Sequence, residues 1–293
     1  AHRCNSNLGS CTAPKTSYFD KLKRNLDEIG YEAEGEIVDA SDYGVPQRRA
    51  RLIVIGIRKD VVGNLKDGVK GIFKLLEARK AERKVTAQEA ISDLCTTPVL
   101  KDCTDPFSPP GFQESYYISP KTQYQEMMHL GCKHDEMDSM RQARHTHEVR
   151  ERFRRILAEC RPGVVMDKAS REKYGLKKHR VHPMAWNEPA PTITTLPEDI
   201  LHYEEPRILT VRESARLQSF PDWFRFRGKF TTGGQARTKE CPRYTQVGNA
   251  VSPLLGKAIG EAITEALEQA NQIALGNASR VSDVAKRELA IET

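Results

Sequence analysis

Apolar residues near the start of the chain recur at helical spacing. The segment 17–29 places four of them on one helical face: Phe19, Leu22, Leu26 and Ile29. Gly30 follows as a helix-stop signal, so we expect a helix over 17–29. The next apolar runs predict strands at 31–38 and 52–57, with a loop between them. Helix, strand, loop and strand in this order are typical of the edge of an α/β sheet.

The pattern changes between about residues 60 and 205, where apolar periodicity is weak and Pro, Lys and Arg are frequent. One helix stands out at 147–159, because its apolar residues form a single stripe: Val149, Phe153, Ile156 and Leu157. The pair Pro162-Gly163 marks a stop shortly after it. We therefore expect a second, mostly irregular domain inserted between two parts of a core.

Helical signals return after residue 205. Thr210 is a candidate N-cap, and Glu213 three residues later completes a capping box. A further helix is predicted to begin with Ser252 as its cap and Pro253 at the first helical position. Apolar residues then recur at helical spacing as far as Leu267, and the residues from about 272 onward are expected to form a loose polar tail.

Composition limits the class of protein. The 293 residues suit about two domains, and the hydrophobic content of 38% with 29% charged residues suits a globular chain. No run of apolar residues is long enough for a membrane span, and the N-terminus lacks the apolar core of a secretion signal. The seven cysteines form no C-x-x-C pair, so a reducing compartment is expected rather than a disulfide framework.

The positive charge is concentrated in one part of the chain. The net charge is +6, yet residues 141–180 alone carry 13 Lys and Arg against five Asp and Glu, a local surplus of eight. A localised basic segment favours a polyanionic partner such as nucleic acid. The alternative is a solvated, arginine-rich helix face.

Three segments carry candidate chemistry, namely YGVPQRRARLIVIG, RILTVRESARLQSFPDWF and YTQVGNAVSP. Singly, each has an ordinary interpretation: an arginine cluster at a solvated strand edge, a capped helix start, and a turn before proline. Together and in this order they resemble the eighth, ninth and tenth motifs of the DNA (cytosine-5) methyltransferase family. The resemblance covers about 15–60 and 186–265, and PAPTITT at 189–195 is similar to the usual lead-in to the ninth motif.

The match can be followed residue by residue. The eighth motif, of the type QRR-x-R, is present as Gln47, Arg48, Arg49 and Arg51. The ninth is present as Arg207, Leu209, Thr210, Arg212, Glu213, Ala215, Arg216, Leu217, Gln218, Phe220, Pro221 and Asp222. The tenth is present as Gly248, Asn249, Ala250, Val251 and Pro253.

The resemblance implies an α/β fold with the Rossmann-like core of S-adenosylmethionine-dependent methyltransferases, of which this chain would hold only the C-terminal portion. Residues 1–60 would end the catalytic domain, and 61–205 would form an inserted, mostly irregular target-recognition domain. Residues 206–270 would return to the catalytic domain, and 271–293 would be a polar tail.

The chemistry implied is methyl transfer from S-adenosylmethionine to C5 of a cytosine rotated out of the DNA duplex. Gln47, Arg49 and Arg51 would form the catalytic set of this chain, because guanidinium groups can bind the phosphate and the pyrimidine oxygen of that nucleotide. Arg48 would face the other way, since side chains alternate along a strand.

The tenth motif would lie beside the cofactor, with Asn249, Ala250 and Val251 near its methionine end. DNA contacts are expected from the basic segment: Arg144, His145, His147, Lys177, Lys178 and Arg180. A solvated loop remains the alternative for residues 177–182. Cys132, His134, His145 and His147 match no common zinc spacing, so no metal is predicted.

The chain departs from the family in its decisive residues. No cysteine lies in the Pro-Cys-Gln context of the nucleophile, and neither Glu-Asn-Val nor the glycine-rich cofactor loop is present. We expect these elements to precede Ala1, so the chain would be a split subunit or fragment, inactive by itself. Its partners would be double-stranded DNA and the N-terminal portion or subunit that carries those motifs.

The biological setting implied is restriction-modification or defence, in the cytoplasm and associated with the nucleoid if the host is bacterial. Two alternatives stay open. One is a non-catalytic DNA-binding or regulatory homologue, and the other is a relative that acts on RNA cytosine.

Overall fold

The computed structural model describes residues 17–95, 100–133, 137–176, 180–231 and 239–289. The helices are α1 (Tyr18–Glu28), α2 (Lys59–Val62), α3 (Gly68–Glu77), α4 (Ala87–Ile91), α5 (Gln123–His129), α6 (His147–Glu159), α7 (Lys168–Lys173), α8 (Val211–Leu217), α9 (Arg243–Asn249) and α10 (Pro253–Leu289). The strands are β1 (Tyr31–Asp39), β2 (Ala50–Arg58), β3 (Leu100–Asp102), β4 (Gln113–Ser115), β5 (His182–Pro183) and β6 (Ile200–Leu201). Short 3₁₀ turns follow β1 at Ala40–Tyr43 and precede β6 at Pro197–Asp199.

The chain forms two compact units. The first contains 1–36, 52–75 and 262–293, and the second contains 37–51 and 76–261. These boundaries are compactness boundaries and do not test the functional division expected above, which stays a prediction.

In the first unit, α1 packs on the β1–β2 pair. Ser17 and Asp20 form a capping box that fixes the start of the helix. Gly35 of β1 leaves room for the ring of Phe19, because a Cβ there would lie 2.7 Å from it. The Lys59 amide bonds the Gly30 carbonyl at 2.9 Å, and the Ala40 amide bonds the Arg49 carbonyl at 3.2 Å. The start of β1 thus lies beside the end of β2 and the reverse, so the two strands run antiparallel.

The main core of the second unit is formed by α4, α5, α8 and α9. Its fully buried members include Ile91, Leu94, Val211, Leu217 and Val247. Two of these helices begin at capping boxes, and the one that starts α8 joins Thr210 and Glu213 as predicted. This capping box fixes the residue at which α8 begins.

A second cluster lies under α6, where Phe153 and Ile156 pack with Met166, Tyr174 and Leu201. Two small sheets border it: β3 and β4 pair antiparallel, and β5 and β6 pair parallel. Each sheet in the described ranges has two strands, so the wider Rossmann-like sheet is not among them.

Several predicted elements are confirmed. The helix at 17–29 is α1, the strands at 31–38 and 52–57 are β1 and β2, and the helix at 147–159 is α6. Others were missed: α3, α4, α5 and α7 interrupt the segment expected to be mostly irregular, and α9 occupies the place of a predicted turn.

The prediction of a loose polar tail is wrong for residues 271–289, because α10 continues to Leu289. That stretch contains no proline and is rich in Ala, Glu, Leu, Lys and Arg, which favour helix even without an apolar stripe. No helix among the described residues is both long and apolar enough to cross a membrane.

Candidate functional site

Gln47 lies three residues before the start of β2 and is completely buried. Its side-chain amide donates to the Gln218 Oε1 at 2.9 Å and to the Leu217 carbonyl at 3.3 Å. Its own oxygen accepts from the Ile193 amide at 2.8 Å. Gln47 therefore joins the segment before β2 to the end of α8 and to the residues before the ninth motif.

Arg49 is also buried, with 9% of its surface exposed. Its guanidinium donates to the Ile193 carbonyl at 3.0 Å and to the Gly248 carbonyl at 2.9 Å. Burial lowers the pKa of Arg49, and the charge of Arg51 adds to the shift. Arg49, the residue before β2, is thus bonded to Ile193 and to the last turn of α9.

Gln218 completes this connection from the end of α8. Its Oε1 accepts from Gln47 and from the Ser252 hydroxyl at 2.7 Å, while its Nε2 donates to the Val247 carbonyl at 2.9 Å. All three bonds are buried, and buried polar groups are costly to leave unpaired. The position of residues 247–252, from the last turn of α9 to the residue before α10, is therefore fixed relative to Gln47.

Arg51 and Arg48 differ from Arg49 in exposure. Arg51 is exposed and its guanidinium donates to the Ala50 carbonyl at 2.7 Å. Arg48 is exposed as well, and it pairs with Glu188 at 2.7 Å. The sequence assigned one role to Arg49 and Arg51, whereas the structure gives Arg49 protein partners and leaves Arg51 accessible.

The residues of the tenth motif are accessible. Asn249 is exposed, Ala250 is half-buried, and Val251 has 67% of its surface exposed. Gly248 has no room for a side chain, because a Cβ would lie 2.5 Å from the Thr194 carbonyl oxygen. An exposed amide and an exposed apolar side chain at the start of α10 fit one wall of a site for an amphiphilic ligand such as S-adenosylmethionine.

A cavity of about 520 Å³ lies beside both motifs. Tyr43 and Gly44 from the turn before Gln47 line it together with Leu254 of α10. Gly44 has a φ of +75° and ends the turn at 40–43, a conformation that favours glycine. Tyr124 and Met127 of α5 line the same cavity.

The ninth motif forms an ion-pair network around α8, all of whose residues are buried. Arg216 contacts Asp93 at 3.1 Å and Asp222 at 2.5 Å. Burial alone would lower the pKa of Arg216, but the two carboxylates offset it and raise the pKa. The sequence indicated the motif arginines and Asp222 but not Asp93, because pairs far apart in sequence leave no local signal.

Two further arginines of the motif are engaged in the same way. Arg207 forms a fork with Glu213 at 2.6–2.7 Å, and Arg212 pairs with Asp138. Arg243, just before the tenth motif, forks with Asp105 at 2.6 and 2.9 Å. The guanidinium groups of these arginines therefore bind carboxylates within the protein.

The predicted DNA-contacting residues are spread over two segments. Arg144 and His147 are exposed, and so is Arg180. His145 is half-buried, with its ring edge-on to Phe153, and its Nε2 accepts from the Ile208 amide at 3.4 Å. Lys177 and Lys178 lie outside the described residues.

Two of the five described cysteines are poor candidates for a nucleophile. Burial raises the pKa of Cys95 to about 12, with a smaller opposing effect from the Tyr203 hydroxyl, and burial also raises the pKa of Cys103. A nucleophilic cysteine needs a lowered pKa. Cys4 and Cys11 lie outside the described residues. No group of three possible metal ligands occurs in the described part of the chain, and His134 of the imagined zinc set is not in it.

Comparisons with known proteins agree with the motifs. The family model for C-5 cytosine-specific DNA methylase matches residues 9–265. The type II methyltransferase M.DdeI of Desulfomicrobium norvegicum is 31% identical over 89% of this chain and 61% of its own length. M.Bpa9945I of Bacillus paralicheniformis is 28% identical over 88% of this chain and 58% of its own length. The chain therefore spans about three fifths of these relatives.

A solved Escherichia coli structure, described as a DNA modification methyltransferase encoded within a prophage, shares the fold. Its TM-score is 0.58 at 21% identity, over 88% of this chain and 67% of the other. Since the family model covers most of the residues, the chain belongs to the C-5 cytosine-specific DNA methylase family.

Proposed function

We propose that this chain carries part of the base pocket and one wall of the cofactor site of a DNA cytosine-5 methyltransferase. The observation that supports this most directly is the Arg49 guanidinium, which bonds the Gly248 carbonyl. This bond joins the eighth motif to the tenth. Arg51 lies two residues from Arg49, and Asn249 lies one residue from Gly248. The exposed residues of both motifs therefore flank one buried anchor.

The roles within the catalytic set follow from burial. Arg51 is accessible and contacts the extruded cytosine nucleotide, whose phosphate and O2 accept hydrogen bonds. Gln47 and Arg49 position the strand and the turn, because their polar groups already bond protein partners. The base is reached by rotation out of the duplex, as enzymes acting on a base inside DNA require.

The cofactor wall is formed by Asn249, Ala250 and Val251. S-Adenosylmethionine supplies the methyl group when bound. The side chain of Asn249 can bond polar groups of that ligand, and Val251 can cover apolar surface. The Leu254 amide at the start of α10 is not free for the cofactor carboxylate, because it donates to the Ser219 hydroxyl at 3.1 Å.

The nucleophile comes from a segment or subunit that carries Pro-Cys-Gln, and the ring-binding carboxyl group from one that carries Glu-Asn-Val. Two observations support this. No cysteine of the chain has the required neighbours, and burial raises the pKa of Cys95 and Cys103. In this chemistry the thiolate would add to C6, and the methyl group would pass to C5 with S-adenosylhomocysteine as the leaving group. A base would then take the C5 proton as the C6–S bond breaks and the thiolate is released. Because the curated relatives are named type II methyltransferases, we place the activity in restriction-modification.

Bisulfite sequencing tests the proposal. The complete gene product, expressed together with the segment that carries Pro-Cys-Gln, should convert specific cytosines in plasmid DNA to protected ones. Arg51→Ala should abolish protection while the thermal unfolding temperature stays unchanged. Arg48→Ala is the matched control, since it removes an exposed arginine paired with Glu188 from the same segment. Full protection with Arg51→Ala would overturn the assigned role.

The two alternatives have distinct outcomes in the same experiment. Unprotected cytosines throughout, with duplex DNA still bound, would favour a non-catalytic homologue. Stronger binding of structured RNA than of duplex DNA in direct competition would favour an RNA-directed relative.

A further inference from the structure

A groove of about 460 Å³ lies within the second unit, away from the Gln47–Gln218 network. One wall is the first part of α6, and the other is the β3–β4 hairpin together with residues 142–144, which lie beside it. Glu205, Pro206 and Arg207, at the start of the ninth motif, close one end.

Four arginines line this groove, and Arg207 at its end is already paired with Glu205 and Glu213. The other three are Arg144, Arg150 and Arg154. Arg150 and Arg154 are four residues apart on α6, so they lie on one face of the helix, about 6 Å apart along its axis. Among the described residues, Arg150 has no ion-pair partner, and Arg154 pairs with Glu151 on the same helix. The only acidic residue in the described lining, Glu205, pairs with Arg207 at 2.5 Å. Among the described residues, Arg144 and Arg150 therefore have no carboxylate partner, and the partner of Arg154 lies on its own helix.

The hairpin wall accommodates Arg144 closely. Gly111 has a φ of +81°, and a Cβ there would lie 3.3 Å from the Arg144 guanidinium. The same guanidinium lies 5.3 Å from the centre of the Phe112 ring. A glycine and an aromatic ring thus hold the arginine against the hairpin, on the opposite wall from Arg150.

The pKa of His145, the residue after Arg144, is consistent with a positive potential in this groove. Burial lowers the pKa of His145, and the charges of Arg150 and Arg207 lower it further. Clustered cations in a groove focus a positive potential, which an anion relieves.

We infer that this groove clamps the phosphodiester backbone of duplex DNA, with Arg150 and Arg154 on one wall and Arg144 on the other. The inference deepens the proposed function and rests on it for the choice of duplex DNA. It adds Arg150 and Arg154 to the residues expected to contact DNA. Two guanidinium groups one helical turn apart can reach neighbouring phosphates of one strand, and such contacts position DNA without reading its sequence.

The test is fluorescence anisotropy with the complete chain and a labelled duplex of random sequence, over a series of salt concentrations. Arg150→Gln combined with Arg154→Gln should weaken binding about 10-fold to 100-fold and reduce the salt slope by about 2, since each phosphate contact contributes about one unit. The matched control is Arg152→Gln combined with Arg155→Gln. It removes the same charge from the same helix but from outside the groove, so we expect less than about a threefold loss.

Every result decides the question. Equal losses of duplex affinity in the two double variants would overturn the assignment of the groove as the DNA contact, because only the overall charge of the helix would then matter. Binding of the groove variant at the level of the unsubstituted chain would also overturn it. Single-stranded DNA or structured RNA that competes as well as the duplex would overturn the choice of partner. Bisulfite protection is measured separately, so a failed groove test with intact methylation leaves the proposed function standing.

Discussion

The arginines of the ninth motif and those of α6 differ in what their guanidinium groups contact. Arg212 and Arg216 are completely buried, and each bonds a carboxylate. Arg150 and Arg154 lie along an open groove whose only described acid is already paired. Both regions are rich in arginine, yet one uses its charge to join segments and the other presents it to solvent.

This difference indicates where a motif arginine is structural. Moving a guanidinium group into the core costs several kcal/mol, so it persists only when carboxylates and carbonyls satisfy its donors. Arg216 meets this condition with Asp93, Asp222 and the Ala90 carbonyl. An exposed cluster with unmatched charge has no such structural purpose, and the simplest use for it is to bind an anion.

Removal of one partner from the buried network should have the largest effect. Asp222→Ala leaves Asp93 as the one carboxylate of the described residues that pairs with Arg216, and it removes a bond to His129 as well. We expect the free energy of unfolding to fall by about 3–5 kcal/mol, the usual cost of a broken buried pair. Urea unfolding followed by circular dichroism measures this. A loss below about 1 kcal/mol would contradict a structural role for the network.

The anchor between the two motifs should come next. Arg49→Ala removes the bonds to the Ile193 and Gly248 carbonyls. We expect a loss of about 3–4 kcal/mol, at about 1.5–2 kcal/mol for each charged hydrogen bond. Arg51→Ala, two residues away, should cost less than about 0.5 kcal/mol because its side chain is exposed. Similar losses in both variants, measured by urea unfolding, would erase the distinction between anchor and contact residue.

Histidine provides a pH test of the buried region. Burial holds the pKa of His202 well below 6.5, and Arg207 adds to the shift. Its Nδ1 accepts from the amides of Glu204 and Glu205 at 3.1 and 3.0 Å, bonds that a proton on Nδ1 would break. The unfolded state therefore binds the proton more readily, so stability should fall as the pH drops below about 6.5.

The size of this fall can be assigned to His202 with one variant. His202→Asn keeps an acceptor near the same two amides but cannot take up a proton. The unfolding free energy of this variant should depend less on pH between 7 and 5 than that of the unsubstituted chain. An unchanged pH dependence would show that other groups titrate instead.

The groove arginines should have the smallest effect on stability. Arg150→Gln combined with Arg154→Gln should change the free energy of unfolding by less than about 0.5 kcal/mol, because exposed pairs contribute little. Thermal unfolding of this variant and of the Asp222→Ala variant shows the contrast directly. A large destabilisation of the groove variant would mean that those arginines hold the domain together.

Much of the local structure could be predicted from the sequence. The apolar stripe of α6 and the capping box of Thr210 and Glu213 are short-range signals, and both are confirmed. The helix α3 had such a stripe in Val69, Ile72, Phe73 and Leu76 but was missed among its lysines and glycines. The turn predicted at Gly248 is the end of α9, since packing against α8 outweighs the local preference of Gly-Asn.

The sequence by itself determined the family, through three ordered motifs, and it determined that no cysteine has the neighbours of the nucleophile. Only the tertiary structure decided that Arg49 is an anchor while Arg51 is accessible, and that Arg216 is paired with Asp93. The physical reason is distance along the chain. A guanidinium group has the same charge whether it faces water or a carboxylate more than a hundred residues away, and only folding brings that carboxylate into contact.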